Sequence, residues 1–594
     1  MTRPDPLTVV LVLAALLGGS LAWRQADASG DLRRLTVALG LDGAPVAGMA
    51  PRDSGESGRA LSPGAGNPAF TDVTASSGLT FVHERFARGE FWIPELLGAG
   101  GALLDADGDG DLDAYLVQGG PLDGVGPDPR NALFANDGSG RFAPWADGHG
   151  SDLGGHGMGA AAADVDADGD VDLFVTRVGP DVLLTNNGAG RFTDVTAAAG
   201  LGHPGYSTSA AFADLDLDGD LDLYVAHYLV WSPAREQPCY SLAGVRDYCH
   251  PATYPAEADA LFTNDGQGVF TDGSVASGIA AAARPGLAVL TSDFDEDGRT
   301  DLYVANDQEP AFLWANQGDG TFLDTAMLAG CAFDGDGVAI AGMGLAAGDL
   351  DDDGDEDLLV TNILDQAHLG LRRDGALFTD RSPAWGLDGW SVPDTGWGLA
   401  LFDQDHDGAL DLYVANGHVN RLHEPRRPED PFAQPDRFAR LSDGHFQLAV
   451  ATETPAVDTG RAVLRGDLDH DGDQDLIITG IGGPARVLRN DADAARAWTL
   501  IDIRGKNGTT AIGARVEVFV GSRRWTRVVR PHTGYLGTND PRVHAGLGDA
   551  ARIDRLVIRW PDGTVDEARD LPVRERLRVE RRPSFSVAVL GAPR

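Results

Sequence analysis

Seven copies of one nine-residue pattern carry most of the chemistry available to this 594-residue chain. The first copy is Asp105-Ala-Asp-Gly-Asp-Gly-Asp-Leu-Asp113, with Asp105, Asp107, Asp109 and Asp113 at positions 1, 3, 5 and 9 and Gly110 at position 6. It returns as Asp164/Asp166/Asp168/Asp172, Asp214/Asp216/Asp218/Asp222 and Asp293/Asp295/Asp297/Asp301. Three further copies are Asp349/Asp351/Asp353/Asp357, Asp403/Asp405/Asp407/Asp411 and Asp467/Asp469/Asp471/Asp475. Glycine holds position 6 throughout, where a chain wrapping its own carboxylates around an ion must turn sharply. Hard oxygen ligands crowded into a short loop suit Ca²⁺, which takes six to eight oxygens in flexible geometry, better than Mg²⁺ or zinc. Position 7 is Asp in five copies but Arg299 and Ala409 in the others, so its expected contribution is a backbone carbonyl. An EF-hand would need Glu at position 12. Here that position is Leu116, Val175, Val225, Val304, Val360, Val414 or Ile478, all apolar, and the EF-hand is excluded. The expectation is up to seven Ca²⁺ ions. A solvated acidic turn is the competing reading, and it gains most in the loops with Arg299 and Ala409.

Each loop needs elements to hold it. Small residues stand seven and five positions before every first aspartate, for example Gly98 and Gly100, Ser207 and Ser209, or Gly396 and Gly398. Residues two apart share one face of a strand, so these strands are expected to pass close to another backbone. After each loop comes a short run of β-formers such as Asp301-Leu-Tyr-Val-Ala. A turn of the form Leu-Phe-x-Asn-x-Gly-x-Gly-x-Phe follows at 133–142, 183–192, 261–270 and 313–322, with looser versions ending at Phe378 and Phe446. One unit therefore reads strand, loop, strand, hairpin, strand. Successive first aspartates lie 59, 50, 79, 56, 54 and 64 residues apart, a period that suits a propeller blade with variable loops. The seventh unit lacks its final strand. An orphan copy of that strand, Phe70-Thr-Asp-Val-Thr, stands at the other end and is predicted to complete the seventh blade beside 475–490.

The repeated motifs resemble the FG-GAP/VCBS repeats of integrin-α-type propellers over residues 67–491, which implies an all-β, seven-bladed β-propeller with calcium loops. Beyond Asn490 the composition changes. Residues 496–594 carry 19 basic against 11 acidic residues, while the whole chain has a net charge of −43. Alternating apolar runs at 498–504, 513–520, 525–530 and 553–560 predict a small C-terminal β-sandwich-like domain over 496–581, followed by a tail, 582–594. Gly513-Ala-Arg-Val-Glu-Val518, Thr533-Gly-Tyr-Leu536, Gly546-Leu-Gly548 and Val557-Ile-Arg-Trp-Pro-Asp-Gly563 resemble the ASPIC/UnbV domain. Propeller followed by this domain is similar to the cartilage acidic protein family. That resemblance implies calcium binding, an extracellular location and mostly non-enzymatic roles.

Residues 7–23 form an apolar stretch after Arg3, with small-residue cleavage sites near Ala22 and Ala28. Residues 1–28 are expected to be a signal peptide or membrane anchor, and 29–66 a flexible linker. Either way the propeller is extracytoplasmic: secreted, periplasmic or envelope-associated. The acidity argues against a nucleic-acid partner and is largely ligand inventory. Cys239 and Cys249 lie in the longest interval, 223–260, and are expected to form a disulfide, leaving Cys331 unpaired and buried. No nucleophile–base pairing or histidine cluster at ligand spacing is visible, so no catalytic residue is assigned. The loops 223–260 and 416–438, the latter with Trp390 and Trp397 upstream, are candidate binding surfaces, as is the central channel. The function expected is a binding or adhesion module for an extracellular protein or glycan. A secreted polysaccharide lyase or hydrolase, and a structural subunit of an envelope complex, are the alternatives.

Overall fold

A computed structural model describes residues 68–591, apart from 147–148, 242–243, 422–424, 493–494, 507 and 582–583. The expected leader and linker lie outside the described residues. Seven antiparallel four-stranded blades follow one another along the chain. In blade one, Gly101–Leu104 is innermost, then Asp113–Leu116 and Ala132–Asn136, with Phe142–Pro144 outermost. In every blade the aspartate loop joins the first two strands, and its ninth residue begins the second strand: Asp113, Asp172, Asp222, Asp301, Asp357, Asp411 and Asp475. The loop is thus the tight connection of a hairpin whose register is pinned at its mouth, Leu104 opposite Asp113 in blade one. The fold is the expected seven-bladed propeller.

The seventh blade is closed by the other end of the chain. Strand Phe70–Asp72 pairs antiparallel with Arg486–Asn490, Phe70 opposite Asn490 and Asp72 opposite Leu488. Phe70 is buried against Phe402, Tyr413 and Phe438 of blade six, with ring centroids 5.3–6.1 Å apart. Closure leaves no blade with an open edge at this seam.

After Asn490 the chain forms two four-stranded sheets. One orders Val543–Gly548, Ala497–Arg504, Glu575–Glu580 and Ser586–Gly591; the other Arg523–Val528, Arg515–Val520, Ile553–Arg559 and Val565–Leu571. Their inner faces share a core that includes Ile501, Val516, Trp525, Leu556, Trp560 and Leu577. The segment between Arg523–Val528 and Val543–Gly548 leaves this sandwich and enters the middle of the propeller. Gly537–Thr538 pairs in parallel with the innermost strand of blade one, and Gly534 bridges to Leu345 of blade five. The small residues ahead of the loops make room for it. A β-carbon on Gly100 would lie 2.2 Å from the Leu536 carbonyl oxygen, and one on Gly159 2.8 Å from the same atom. Gly344 and Gly398 instead admit the neighbouring inner strands, at 2.2 Å from the Trp397 oxygen and 2.4 Å from the Arg461 oxygen.

Candidate metal centres

The loop backbone is built around its first aspartate. Position 4 is left-handed in every copy: Gly108, Ala167, Leu217, Glu296, Asp352, His406 and His470 have φ between +59° and +77°. Position 6 is left-handed too, at φ +87° to +103°. Alternating right- and left-handed residues turn successive amides inward, a concavity that receives an anion. The anion is the position-1 carboxylate. Asp105 Oδ1 accepts from the Gly108 amide at 2.8 Å and Oδ2 from that of Gly110 at 3.0 Å. Asp293 and Asp403 accept in the same way from the amides of positions 5 and 6. Six non-glycine residues accept a sparsely populated conformation to make this cup.

Ligand atoms of Asp105, Asp107 and Asp109 lie within 4.8 Å of one another, as do those of Asp214, Asp216 and Asp218; Asp293, Asp295 and Asp297; and Asp349, Asp351 and Asp353. In loop two the convergent set is Asp164, Asp166 and Asp172. The donor set fits a hard cation because oxygens are left over. Asp164 Oδ1, Asp214 Oδ1, Asp349 Oδ1 and both oxygens of Asp467 are buried without a hydrogen-bond partner among the described residues. Burial, and then the neighbouring carboxylates, push Asp164, Asp214 and Asp349 up to about 6, and Asp403 and Asp467 up to about 7. Carboxylates held this close without a cation retain protons.

Loops six and seven depart from the expected uniform ligand set at Asp407 and Asp469. Position 5 normally accepts the amide of position 7, as Asp109 does from Asp111 at 3.0 Å, and Asp407 and Asp471 do so from Ala409 and Asp473, each at 2.9 Å. Asp407, however, is exposed above a buried Asp403, and Arg523 of the C-terminal domain donates to its carbonyl. The protein thus already engages this expected ligand from two sides. Position 3 normally accepts the amide of position 5, as Asp107, Asp166, Asp216 and Asp295 do. Asp469 lacks that contact, and its Oδ1 is buried without a partner. The physical reason lies in loop seven's cup, where neither oxygen of Asp467 takes an amide either, so burial and then Asp469 raise the pKa of Asp471. Seven identical patterns therefore do not give seven identical sites.

Position 9 does something further. Asp113 Oδ2 accepts the Ala106 amide at 3.0 Å and Oδ1 the Asn136 amide at 2.9 Å, tying the loop to the third strand. The arrangement repeats at Asp172, Asp222, Asp301, Asp357, Asp411 and Asp475. Burial raises Asp113, Asp222 and Asp301 to about 7 and Asp172 and Asp357 to about 8. These side chains clamp the blade whatever else they bind.

The asparagine ending the third strand stitches blades together. Asn186 Nδ2 donates to the Ala106 carbonyl in loop one at 2.9 Å, and Asn264 to Val165 in loop two at 2.8 Å. Asn316, Asn136 and Asn490 reach Leu215, Leu468 and Gln404, always position 2 of the preceding loop. In blade five Arg373 takes this role on Phe294. Blade six has Leu441 there and makes no such bond.

Basic residues divide the loops. Arg299 pairs with Asp297 inside loop four. In loop five Arg372 bridges positions 3 and 5, Nε to Asp351 at 2.6 Å and an Nη to Asp353 at 3.0 Å. In loop six Arg496 meets Asp405 at 2.6 Å. The C-terminal domain also covers this side. Arg524 donates to the Asp353 carbonyl and Arg515 to that of Gly354, and Trp525 and Trp498 lie against Gly408 and Gly472. Below the covering domain, Arg530 and Glu356 form a buried pair at 2.5 Å; although burial opposes it, Arg530 holds Glu356 below its ordinary range.

The other candidate surfaces are rearranged. The channel is filled: Tyr535 and Leu536 meet Tyr206, Tyr228, Met343 and Trp397 in one apolar core, with Ile93, Leu96, Tyr248 and Phe432 closing its far end. Trp390 and Trp397 are therefore core residues, not a rim. The loop at 223–260 is closed by the expected Cys239–Cys249 disulfide and lies over that end, where the Tyr248 hydroxyl donates to buried Glu95 at 2.9 Å. Cys331 is free and buried. Among the described residues no helix is long and apolar enough to cross a membrane.

A family model described as an FG-GAP-like repeat matches residues 105–175, 164–225 and 293–360, and one described as ASPIC and UnbV matches 504–584. Cartilage acidic protein 1 of Xenopus tropicalis is 28% identical over 325 residues, 52% of this chain and 47% of that protein. The Mus musculus protein is 29% identical over 295 residues, 47% of this chain and 42% of its own. The chain thus spans about half the length of these relatives, or less. Among solved structures, an Agrocybe aegerita lectin that recognises non-reducing terminal N-acetylglucosamine is 17% identical with a TM-score of 0.34, covering 64% of this chain and 92% of the lectin. YCF48 from Cyanidioschyzon merolae is 9% identical with a TM-score of 0.38, covering 71% and 98%.

Proposed function

We propose that this chain, built of FG-GAP-like repeats and an ASPIC and UnbV domain, is an exported calcium-binding propeller that serves as a binding or adhesion module for an extracellular protein or glycan. The observation that carries the reading is the set of buried, unpartnered carboxylate oxygens at position 1, each facing further aspartates of its own loop. A buried acceptor without a partner costs about 1–3 kcal/mol, more when charged. Ca²⁺ supplies the missing partner: it keeps these groups ionised and draws the loop closed. Positions 1, 3 and 5 would hold it, with position 9 lending a further lone pair while it keeps its two amides. The disulfide suits an oxidising compartment, where calcium is abundant enough to fill modest sites. The channel is occupied by the chain itself, so ligand recognition falls to outer surfaces.

Calorimetric melting tests this. With sites of about 0.1 mM affinity in about 1 mM calcium, each filled loop adds roughly 1.4 kcal/mol. Excess chelator should lower the melting temperature sharply, and Ca²⁺, but poorly Mg²⁺, should restore it. An unchanged melting curve in chelator rejects the metal assignment, and release of sugar products by purified protein rejects the non-enzymatic one.

A further inference from the structure

One surface remains that nothing above assigns. Between aspartate loops one and two and the C-terminal sheet runs an open cleft of about 800 Å³, the size of a small-ligand site. Its sheet wall is made by two parallel neighbours, Ala497–Arg504 and Glu575–Glu580, with Asp502 opposite Arg578 and Leu500 opposite Arg576. One face of this pair therefore presents Arg504, Arg576 and Arg578 to the cleft. Asp502 accepts the Nε of Arg504 at 2.7 Å with one oxygen and the Nε of Arg578 at 3.0 Å with the other. Two guanidiniums are thereby fixed side by side, and their Nη groups have no partner among the described residues. Arg576 is held by His470, which in turn meets Asp111 of loop one at 2.5 Å. Its Nε is buried and unpartnered.

Facing this wall are Asp105 and Asp164, the position-1 residues of loops one and two, and Asp164 Oδ1 is among the unpartnered oxygens. Seven carboxylates and four arginines line the cleft, a net −3 that two bound Ca²⁺ ions would turn to +1. Charge sign thus depends on the metal. Loaded, the cleft offers two kinds of oxyanion receptor across a short span: calcium ions with solvent-facing ligands Asp107, Asp109 and Asp168, and a clamped arginine pair suited to bidentate recognition. Ser139, Thr509 and Thr510 add neutral hydrogen-bonding groups, and no Phe, Tyr or Trp ring lines the space. A peptide would ask for a strand edge to pair with or an apolar groove.

We propose that this cleft binds the carboxylate of an acidic oligosaccharide, a uronate, in a calcium-dependent manner, with Arg504 and Arg578 reading the carboxylate and the loop-bound ions taking carboxylate or ring-hydroxyl oxygens. The inference rests on the calcium reading of loops one and two. Titration calorimetry of the whole exported chain with trigalacturonate tests it, alongside a separate Ca²⁺ titration. The expected result is binding in calcium, loss in chelator, and at least tenfold weaker binding by Arg504→Lys/Arg578→Lys. That variant keeps Asp502 paired, so its calcium titration and melting temperature should match the parent's. Calcium uptake without trigalacturonate binding overturns this inference and leaves the calcium reading standing; absence of calcium uptake overturns both. Equal binding by the lysine variant, binding that persists in chelator, or preference for a pentaglutamate peptide also overturns it.

Discussion

In loops one to three, no basic side chain forms an ion pair with positions 1, 3, 5 or 9 among the described residues, and the tips of these loops are exposed. Loops five and six carry the same aspartates, yet Arg372 bridges two of them in one and Arg496 pairs with Asp405 in the other, while the C-terminal domain lies over loops five to seven. The sequence pattern is the same; the counter-charge is not. An exposed arginine–carboxylate pair contributes little, roughly 0–1 kcal/mol, but it occupies oxygens that an ion would use. A repeat motif therefore specifies a loop shape, and its surroundings decide how much of its charge is left for a metal. The basic C-terminal domain and the acidic propeller meet where protein cations already stand in, and the open loops are where calcium has most to gain.

This contrast can be broken in three places. The largest effect is expected at Arg530, which belongs to the covered side. Arg530→Met strands Glu356 in a buried site and should cost about 3–5 kcal/mol in denaturant unfolding, equally in calcium and in chelator. A loss that appeared only with calcium would mean that the covered side also depends on the metal. Next, Asp164→Asn in loop two should remove roughly 1.4 kcal/mol of calcium-dependent stabilisation, whereas Asp351→Asn in loop five should remove less than half of that. Melting temperatures measured with and without chelator decide it, and equal losses would erase the distinction. The smallest effect is at Arg372. Without calcium, Arg372→Ala should shift stability by no more than about 0.5 kcal/mol, since the side chain is partly exposed. With calcium it should add one site to the titration; unchanged stoichiometry would show that the arginine is not what limits loop five.

Much of this was legible in the residues because it is local. Loop spacing, the hairpin asparagines and the orphan Phe70 strand each repeat within a unit, and seven copies make the register plain. What the pattern hides is where repeated residues reach. The asparagines look like turn formers, yet the partner of Asn186 lies 80 residues back and that of Asn316 lies 101 back. Position 4 shows glycine only once, at Gly108, so its left-handed backbone leaves no compositional trace in the other six loops. Asp407 and Asp469 match their counterparts letter for letter, and only Arg523 and the altered cup around Asp467 set them apart. Thr533-Gly-Tyr-Leu536 reads as part of the C-terminal domain; that it fills the channel follows from small residues far earlier in the chain, which give no hint of what they accommodate. The arginines over loops five and six come from elsewhere in the chain, and for them linear order is silent.

Ring closure has a consequence for the timing of folding. Thr71 and Asp491 are hydrogen-bonded neighbours separated by 420 residues. At about 5–20 residues per second, a ribosome needs roughly 20–80 s to make the chain between them. The Phe70 strand is therefore translated first and paired last, and the segment with Tyr535 that fills the channel is synthesised later still. Six blades can form in order from nearby pieces, but the seventh must wait for an encounter with a very high contact order. During that wait the unpaired seam is a kinetic liability, open to a second chain presenting the same Phe70 segment. Such an exchange would yield a strand-swapped dimer whose blades are all complete.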